Sequence, residues 1–178
     1  MSTLLARDKE RILEYILSNP TKNVGVRDIA KVLGLSPAHV SRTLKELRNN
    51  NIISDNVVNL ANPMVNSLKV FFNIKLVQEK DIINKLTTAE ISGAGIYGSW
   101  ANGTNHEDSD LDIWIKVRKH PGETKIASIS GELRKALGRR VQILILTPER
   151  IKRLKDNDPA FYYSLVHSSI NLWGETIE

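Results

Sequence analysis

Asp110 and Asp112 stand two residues apart at the head of the run Leu111-Asp112-Ile113-Trp114-Ile115-Lys116-Val117, and this arrangement restricts the fold more than any other part of the chain. The run is rich in β-branched and aromatic residues and short, so it reads as a strand. Side chains alternate along a strand, which holds the two carboxylates side by side on one face. Like charges at that separation repel unless something neutralises them, and a hard divalent cation with oxygen ligands does so. Alone, such a pair reads first as a polar strand start with solvated aspartates. What precedes it changes that. Residues 95–97 read as a strand ending at Gly98, and a helical turn begins at Ser99. A glycine there permits close approach of a ligand, and the free N–H groups of the helix start, with the Ser99 hydroxyl, form an anion site. Mg²⁺ needs carboxylates plus substrate phosphate oxygens, which a Gly98-Ser99 phosphate cradle opposite Asp110 and Asp112 would supply.

The first 60 residues have a different periodicity. Residues 3–18 form one helical signal, with Ile12, Leu13, Ile16 and Leu17 as its apolar stripe and Asn19-Pro20 as its stop. Residues 26–33 form a second, followed by Gly34 in the position of a C-cap. Ser36 and Pro37 then read as N-cap and first residue of a third helix, whose Val40, Leu44 and Leu47 define a buried face. Ala38, Arg42, Lys45 and Asn49 project from the opposite side, with His39 beside them. Two cations and an amide on one helix face suit a DNA major groove, although a three-helix packing module with solvated charges has the same periodicity. Residues 52–60 read as a small hairpin turning at Asp55-Asn56. Residues 26–60, and above all Leu35-Ser36-Pro37-Ala38-His39-Val40-Ser41-Arg42-Thr43-Leu44-Lys45-Glu46-Leu47, resemble the winged helix-turn-helix domains of prokaryotic transcription regulators. The resemblance implies double-stranded DNA as a partner through Ala38, His39, Arg42, Lys45 and Asn49.

A boundary is expected near Pro63, giving domains 1–62 and 63–178; the nearly continuous apolar run at about 65–76 fits a buried connecting helix or a strand, the helix being favoured, and a short helix follows at 81–86. Beyond the aspartates the order is a helix at 122–137, a strand at 141–146 and a helix opened by Thr147-Pro148-Glu149. A closing helix at 159–170 runs into Leu172-Trp173-Gly174. The fold class expected is therefore α/β (α+β), an N-terminal winged helix-turn-helix followed by an α/β domain with a small mixed sheet.

Gly98-Ser99, ten further residues, then Asp110-x-Asp112 resembles the signature of the DNA polymerase beta-type nucleotidyltransferases, especially their minimal members. The resemblance covers residues 65–178. It implies that Gly98 and Ser99 hold a nucleoside triphosphate and that Asp110 and Asp112 are the metal-binding, catalytic carboxylates. A nucleoside monophosphate then passes to an acceptor hydroxyl. It also implies a possible small helical partner, as in toxin–antitoxin modules. The family has a third carboxylate on the strand after the helix, and here Gln142 stands in its place in Val141-Gln142-Ile143. A glutamine brings neither charge nor base, and positioned bases contribute roughly 10²–10⁴ in rate. An alternative expectation is a DNA-binding regulator or antitoxin-like protein whose degenerate transferase domain binds nucleotide or a protein without turnover.

The remaining features narrow the class. The chain contains no cysteine, which excludes disulfides and thiolate chemistry. His39, His106, His120 and His167 lack the spacing of a zinc site. No apolar run reaches the ~18 residues of a membrane span, and Arg7-Asp8-Lys9-Glu10-Arg11 interrupts any signal-peptide core. A cytoplasmic location and no membrane partner are expected; winged-helix proteins commonly form homodimers. Of the net charge of +5, residues 1–60 hold 9 basic and 6 acidic residues, more than half of the excess on a third of the chain. Trp100 reads as a core residue or a base-stacking platform, and Arg139-Arg140 as a solvated turn or a phosphate contact. Lys116 shares the face of the two aspartates.

Overall fold

A computed structural model of the chain describes residues 7–88 and 90–178. Two compact units are present, one running to Phe72 and the other beginning at Asn73.

In the first unit α1 (Arg7–Ser18), α2 (Val26–Leu33) and α3 (Pro37–Asn49) precede the two-residue strands β1 (Ile53–Ser54) and β2 (Val57–Val58). Residues 3–6 of the expected first helix lie outside the described residues. The predicted stripes form the core: Ile12, Leu13, Ile16 and Leu17 from α1 pack with Ile29 of α2 and with Val40, Leu44 and Leu47 of α3. Gly34 ends α2, and the Ser36 hydroxyl caps α3 by accepting from the His39 N–H at 3.2 Å. β1 and β2 pair antiparallel as Ile53 with Val58 and Ser54 with Val57, and the turn residues Asp55 and Asn56 both have positive φ. The buried Lys69 ammonium donates to the Leu17 carbonyl at 3.1 Å, satisfying an orphan acceptor at the end of α1.

Lys69 belongs to α4 (Pro63–Glu79), which is longer than the connecting helix expected from the sequence. Val65, Leu68 and Phe72 pack in the first core, whereas Leu76 and Val77 pack in the second. After α5 (Ile82–Leu86) the second unit runs β3 (Ile91–Tyr97), α6 (Gly98–Asn102), β4 (Leu111–Val117), α7 (Glu123–Leu137), β5 (Val141–Leu146), α8 (Pro148–Asn157), α9 (Pro159–Ser168) and β6 (Ile170–Gly174). The strands form a mixed sheet of order β5-β4-β3-β6, in which only β4 and β5 are parallel. One face carries Ile113 and Ile115 against α7 residues such as Ile129 and Leu133. The other carries Trp114 and Leu146 against Tyr162 and Leu165 of α9.

Two elements differ from the sequence reading. The closing helix stops at Ser168, and residues 170–174 form an edge strand that pairs antiparallel with β3. β3 itself begins at Ile91, four residues earlier than expected. Its glycines are the reason for both differences. A Cβ on Gly95 would meet the Ile170 carbonyl at 2.4 Å and the Trp114 ring at 2.5 Å, so only glycine lets β6 and Trp114 close on this strand.

Candidate active site

The site forms where three neighbouring strands present adjacent ends. β3 finishes at Tyr97 and the chain turns at Gly98, whose φ of +67° is left-handed and favours glycine. Asp112 pairs with Tyr97 on one side and with Gln142 on the other, so the sheet ladder fixes all three backbones. A Cβ on Gly98 would stand 2.7 Å from Asp112 Oδ2, and the absent side chain is what lets the aspartate lie against the turn. Ser99 follows in α6. Its carbonyl accepts from the N–H groups of Gly103, Thr104 and Asn105, which folds the following loop back toward the turn. Buried Asn73 secures the same loop by donating to the Trp100 carbonyl at 2.9 Å and to Asn105 Oδ1 at 3.0 Å.

The structure thus brings Gly98, Ser99, Asp110 and Asp112 to one strand end, with Gln142 beside them. Burial, followed by the charge of Asp110, raises the pKa of Asp112 above the usual carboxylate range. Burial, and then Asp112, likewise raises the Tyr97 phenol, against an opposing pull from Arg150. Asp110 has partners of its own. Gln142 Nε2 donates to Asp110 Oδ2 at 2.8 Å, and the exposed Arg140 guanidinium lies 3.9 Å from the same oxygen.

This donor set fits one hard divalent cation better than two. Asp110 and Asp112 offer anionic oxygens, and a half-turn of the Gln142 amide would present a neutral one. Among the described residues no group of three or more histidine or acidic side chains is placed to hold a metal. Glu149 does not fill the gap. It lies beyond the far end of β5, where its carboxylate is held by its own backbone N–H and the Thr147 hydroxyl, and it lines a cavity with Arg118 and Lys119, which follow the far end of β4.

Arg139 braces the loops on either side of the site. Its guanidinium lies 4.8 Å from the centre of the Trp100 ring, and its Nη1 donates to the Ser109 carbonyl at 3.5 Å. It therefore ties the residue after Ser99 to the residue before Asp110. Nothing local announces this in an Arg-Arg pair before a strand. Trp100 is 1% exposed and is a core residue, not a stacking platform. Lys116 lies at the other end of β4, where it donates to the Thr176 and Glu178 carbonyls at 2.7 and 3.0 Å. His106 is exposed, and its backbone N–H is bonded to Ser109 Oγ.

Residues 80–174, more than half of the chain, match the family described as Polymerase beta, Nucleotidyltransferase. The chain belongs to this nucleotidyltransferase family. Residues 9–54 match the family described as Winged helix-turn-helix DNA-binding. Within that part Ala38, Arg42, Lys45 and Asn49 are all exposed on α3. His39 is half-buried, its Nε2 makes no hydrogen bond, and it lines a cavity with Lys9 and Arg11 of α1.

No curated protein matches the chain. Solved structures to which the chain is similar include a toxin-antitoxin with AMP-PNP, 21% identical over 54% of this chain and 73% of that one, with a TM-score of 0.42. Another is the tri-AMPylated Shewanella oneidensis HEPN toxin in complex with MNT antitoxin, 16% identical over 62% of this chain and 73% of that one, with a TM-score of 0.35. The toxin-antitoxin MntA-HepT is 16% identical over 61% and 73%, with a TM-score of 0.34. Among the described residues no helix is long and apolar enough to cross a membrane.

Proposed function

We propose that the nucleotidyltransferase unit binds a nucleoside triphosphate with a divalent cation and transfers the nucleoside monophosphate to an acceptor hydroxyl. The convergence of Gly98-Ser99 with Asp110 and Asp112 at one strand end carries this reading. Asp110 and Asp112 hold the cation, which when bound neutralises triphosphate charge and makes the α-phosphorus more electrophilic. The Ser99 hydroxyl and the N–H groups after Gly98 bind phosphate oxygens. The acceptor oxygen bonds to the α-phosphorus, the bond to the bridging oxygen breaks, and pyrophosphate leaves. Gln142 cannot take the hydroxyl proton, which passes to solvent, so turnover is slow for such a site. Incubation with α-labelled triphosphates, Mg²⁺ or Mn²⁺ and candidate hydroxyl acceptors tests the reading. Label transfer that disappears in the Asp110→Ala variant supports it.

The hydrogen bond from Gln142 to Asp110, reinforced by Arg140, favours a second reading. In it the chain is a DNA-binding regulator whose transferase unit binds nucleotide or a toxin-like helical protein without turnover. Arg42, Lys45 and Asn49 on the exposed face of α3, with Ala38 and His39 near its start, are then the duplex contacts. If no label transfers with either cation while nucleotide still binds, this reading replaces the first.

A further inference from the structure

A concentration of positive charge lies where the chain leaves β4 and β5, at the strand ends away from Asp110 and Asp112, although Arg150 is close enough to act on Tyr97. Arg118 and Lys119 follow the last residue of β4, and Arg150 and Arg153 stand one turn apart on α8. Together with His120 they line a cavity of about 480 Å³. Among the described residues none of these four cations forms an ion pair, although Asp156 lies one turn beyond Arg153 on α8. Glu123 faces His120, Glu90 pairs with Lys125, and Glu175 pairs with Lys116. Glu149 lines the cavity but is held by Thr147 and its own N–H.

Four cations on two walls of one concavity repel one another, and an anionic ligand would relieve that repulsion. Three of the four are arginines, whose planar forks match phosphate oxygens in pairs. The positive surface also extends beyond one phosphate. Arg118 lines a second cavity, of about 590 Å³, where Lys152 and Lys155 on the adjacent row of α8 continue it beside Glu175 and Glu178.

We propose that this face of the nucleotidyltransferase unit binds the phosphodiester backbone of a single nucleic-acid strand. A cavity of about 480 Å³ is too small to take in a duplex, whereas a flexible single strand can lay successive phosphates into it and along α8. Tyr162, which lines the larger cavity, is 4% exposed and offers no ring face to a base, and the His120 imidazole is engaged by Glu123 and the Gly122 N–H. Recognition is consequently backbone-only, tolerant of sequence and steeply dependent on salt. The surface belongs to the second unit, whereas Arg42 and Lys45 belong to the first, and its binding does not require turnover at Asp110 and Asp112.

The test uses the full chain and a labelled single-stranded oligonucleotide of mixed sequence, with affinity read by anisotropy across a salt series. Lys119→Gln with Arg153→Gln removes one exposed cation from each wall. Binding is expected to weaken about tenfold or more, and the slope of log affinity against log salt to flatten by roughly 1.4, about 0.7 for each lost contact. Arg42→Ala with Lys45→Ala is expected to leave single-strand affinity as it was. Should the Lys119/Arg153 pair not fold, Arg118→Gln gives the same readout with about a threefold loss. Wild-type affinity in the cavity variants overturns the proposal, as does loss of single-strand binding in the Arg42/Lys45 variant. Displacement of the strand by inorganic phosphate as effectively as by an unlabelled strand, at equal phosphate concentration, also overturns it.

Discussion

Gln142 stands beside Asp112 on the neighbouring parallel strand, yet its side-chain amide reaches past it to donate to Asp110 Oδ2 at 2.8 Å. A neutral donor thus occupies the place from which a carboxylate would help to hold a cation. Gln142→Asp should tighten Mn²⁺ binding at least tenfold by calorimetry. In the absence of metal the variant should lose about 1–3 kcal/mol of stability, since a hydrogen bond is replaced by a third like charge. Unchanged Mn²⁺ affinity would show that position 142 does not face the cation.

Asp112 gives a prediction about pH. Its folded-state pKa lies above the ordinary 3.8, so between those values the folded chain holds a proton that the unfolded chain has released. Stability from this group is therefore lost as pH rises through that window. Asp112→Asn should raise the melting temperature at neutral pH, and the gain should vanish below pH 3.8. Equal gains at both pH values would mean that charge is not the cause.

Gly98→Ala should be costly for two separable reasons. The left-handed φ costs about 1–2 kcal/mol for a residue with a Cβ. The new methyl also displaces the Asp112 carboxylate, which stands 2.7 Å from its position. Urea unfolding should report the first effect, and loss of triphosphate affinity beyond the fall in stability should report the second.

Arg139→Ala should loosen the tie between Trp100 and Ser109. The expected loss is about 1 kcal/mol of stability, accompanied by a shift in Trp100 fluorescence. Arg139→Lys should restore little of it, because an ammonium cannot stack as a guanidinium does. Full rescue by lysine would reduce the role of Arg139 to its charge.

For the winged helix, Arg42→Ala and Lys45→Ala should each lower duplex affinity and reduce the salt slope by about 0.9. An electrophoretic shift series at several salt concentrations measures both quantities. A slope that stays constant would place the duplex elsewhere.

The elements that were legible in the sequence are those specified by local periodicity or by a cap. Ile12, Leu13, Ile16 and Leu17, the Ser36-Pro37 start of α3 and the limits of β5 all belong to this class. Asp110 and Asp112 were legible because their spacing repeats the period of a strand. The full length of β3 was hidden because Gly93 and Gly95 look like turn residues. Their purpose appears only when Glu175, Ile170 and Trp114 come close. β6 was hidden because its partner is distant in sequence and its five residues continue an apolar helix pattern. The stacking of Arg139 on Trp100 is a tertiary contact with no local trace.

The register of β4 against β5 has a wider consequence. Position 142 is one rung of a hydrogen-bonded ladder, so exchanging its side chain alters the charge of the site without moving the backbone that carries it. A lineage could pass between catalyst and sensor through that rung alone, keeping the same scaffold and the same surfaces for its partners. Position 142 is in that sense a replaceable part mounted on a fixed frame.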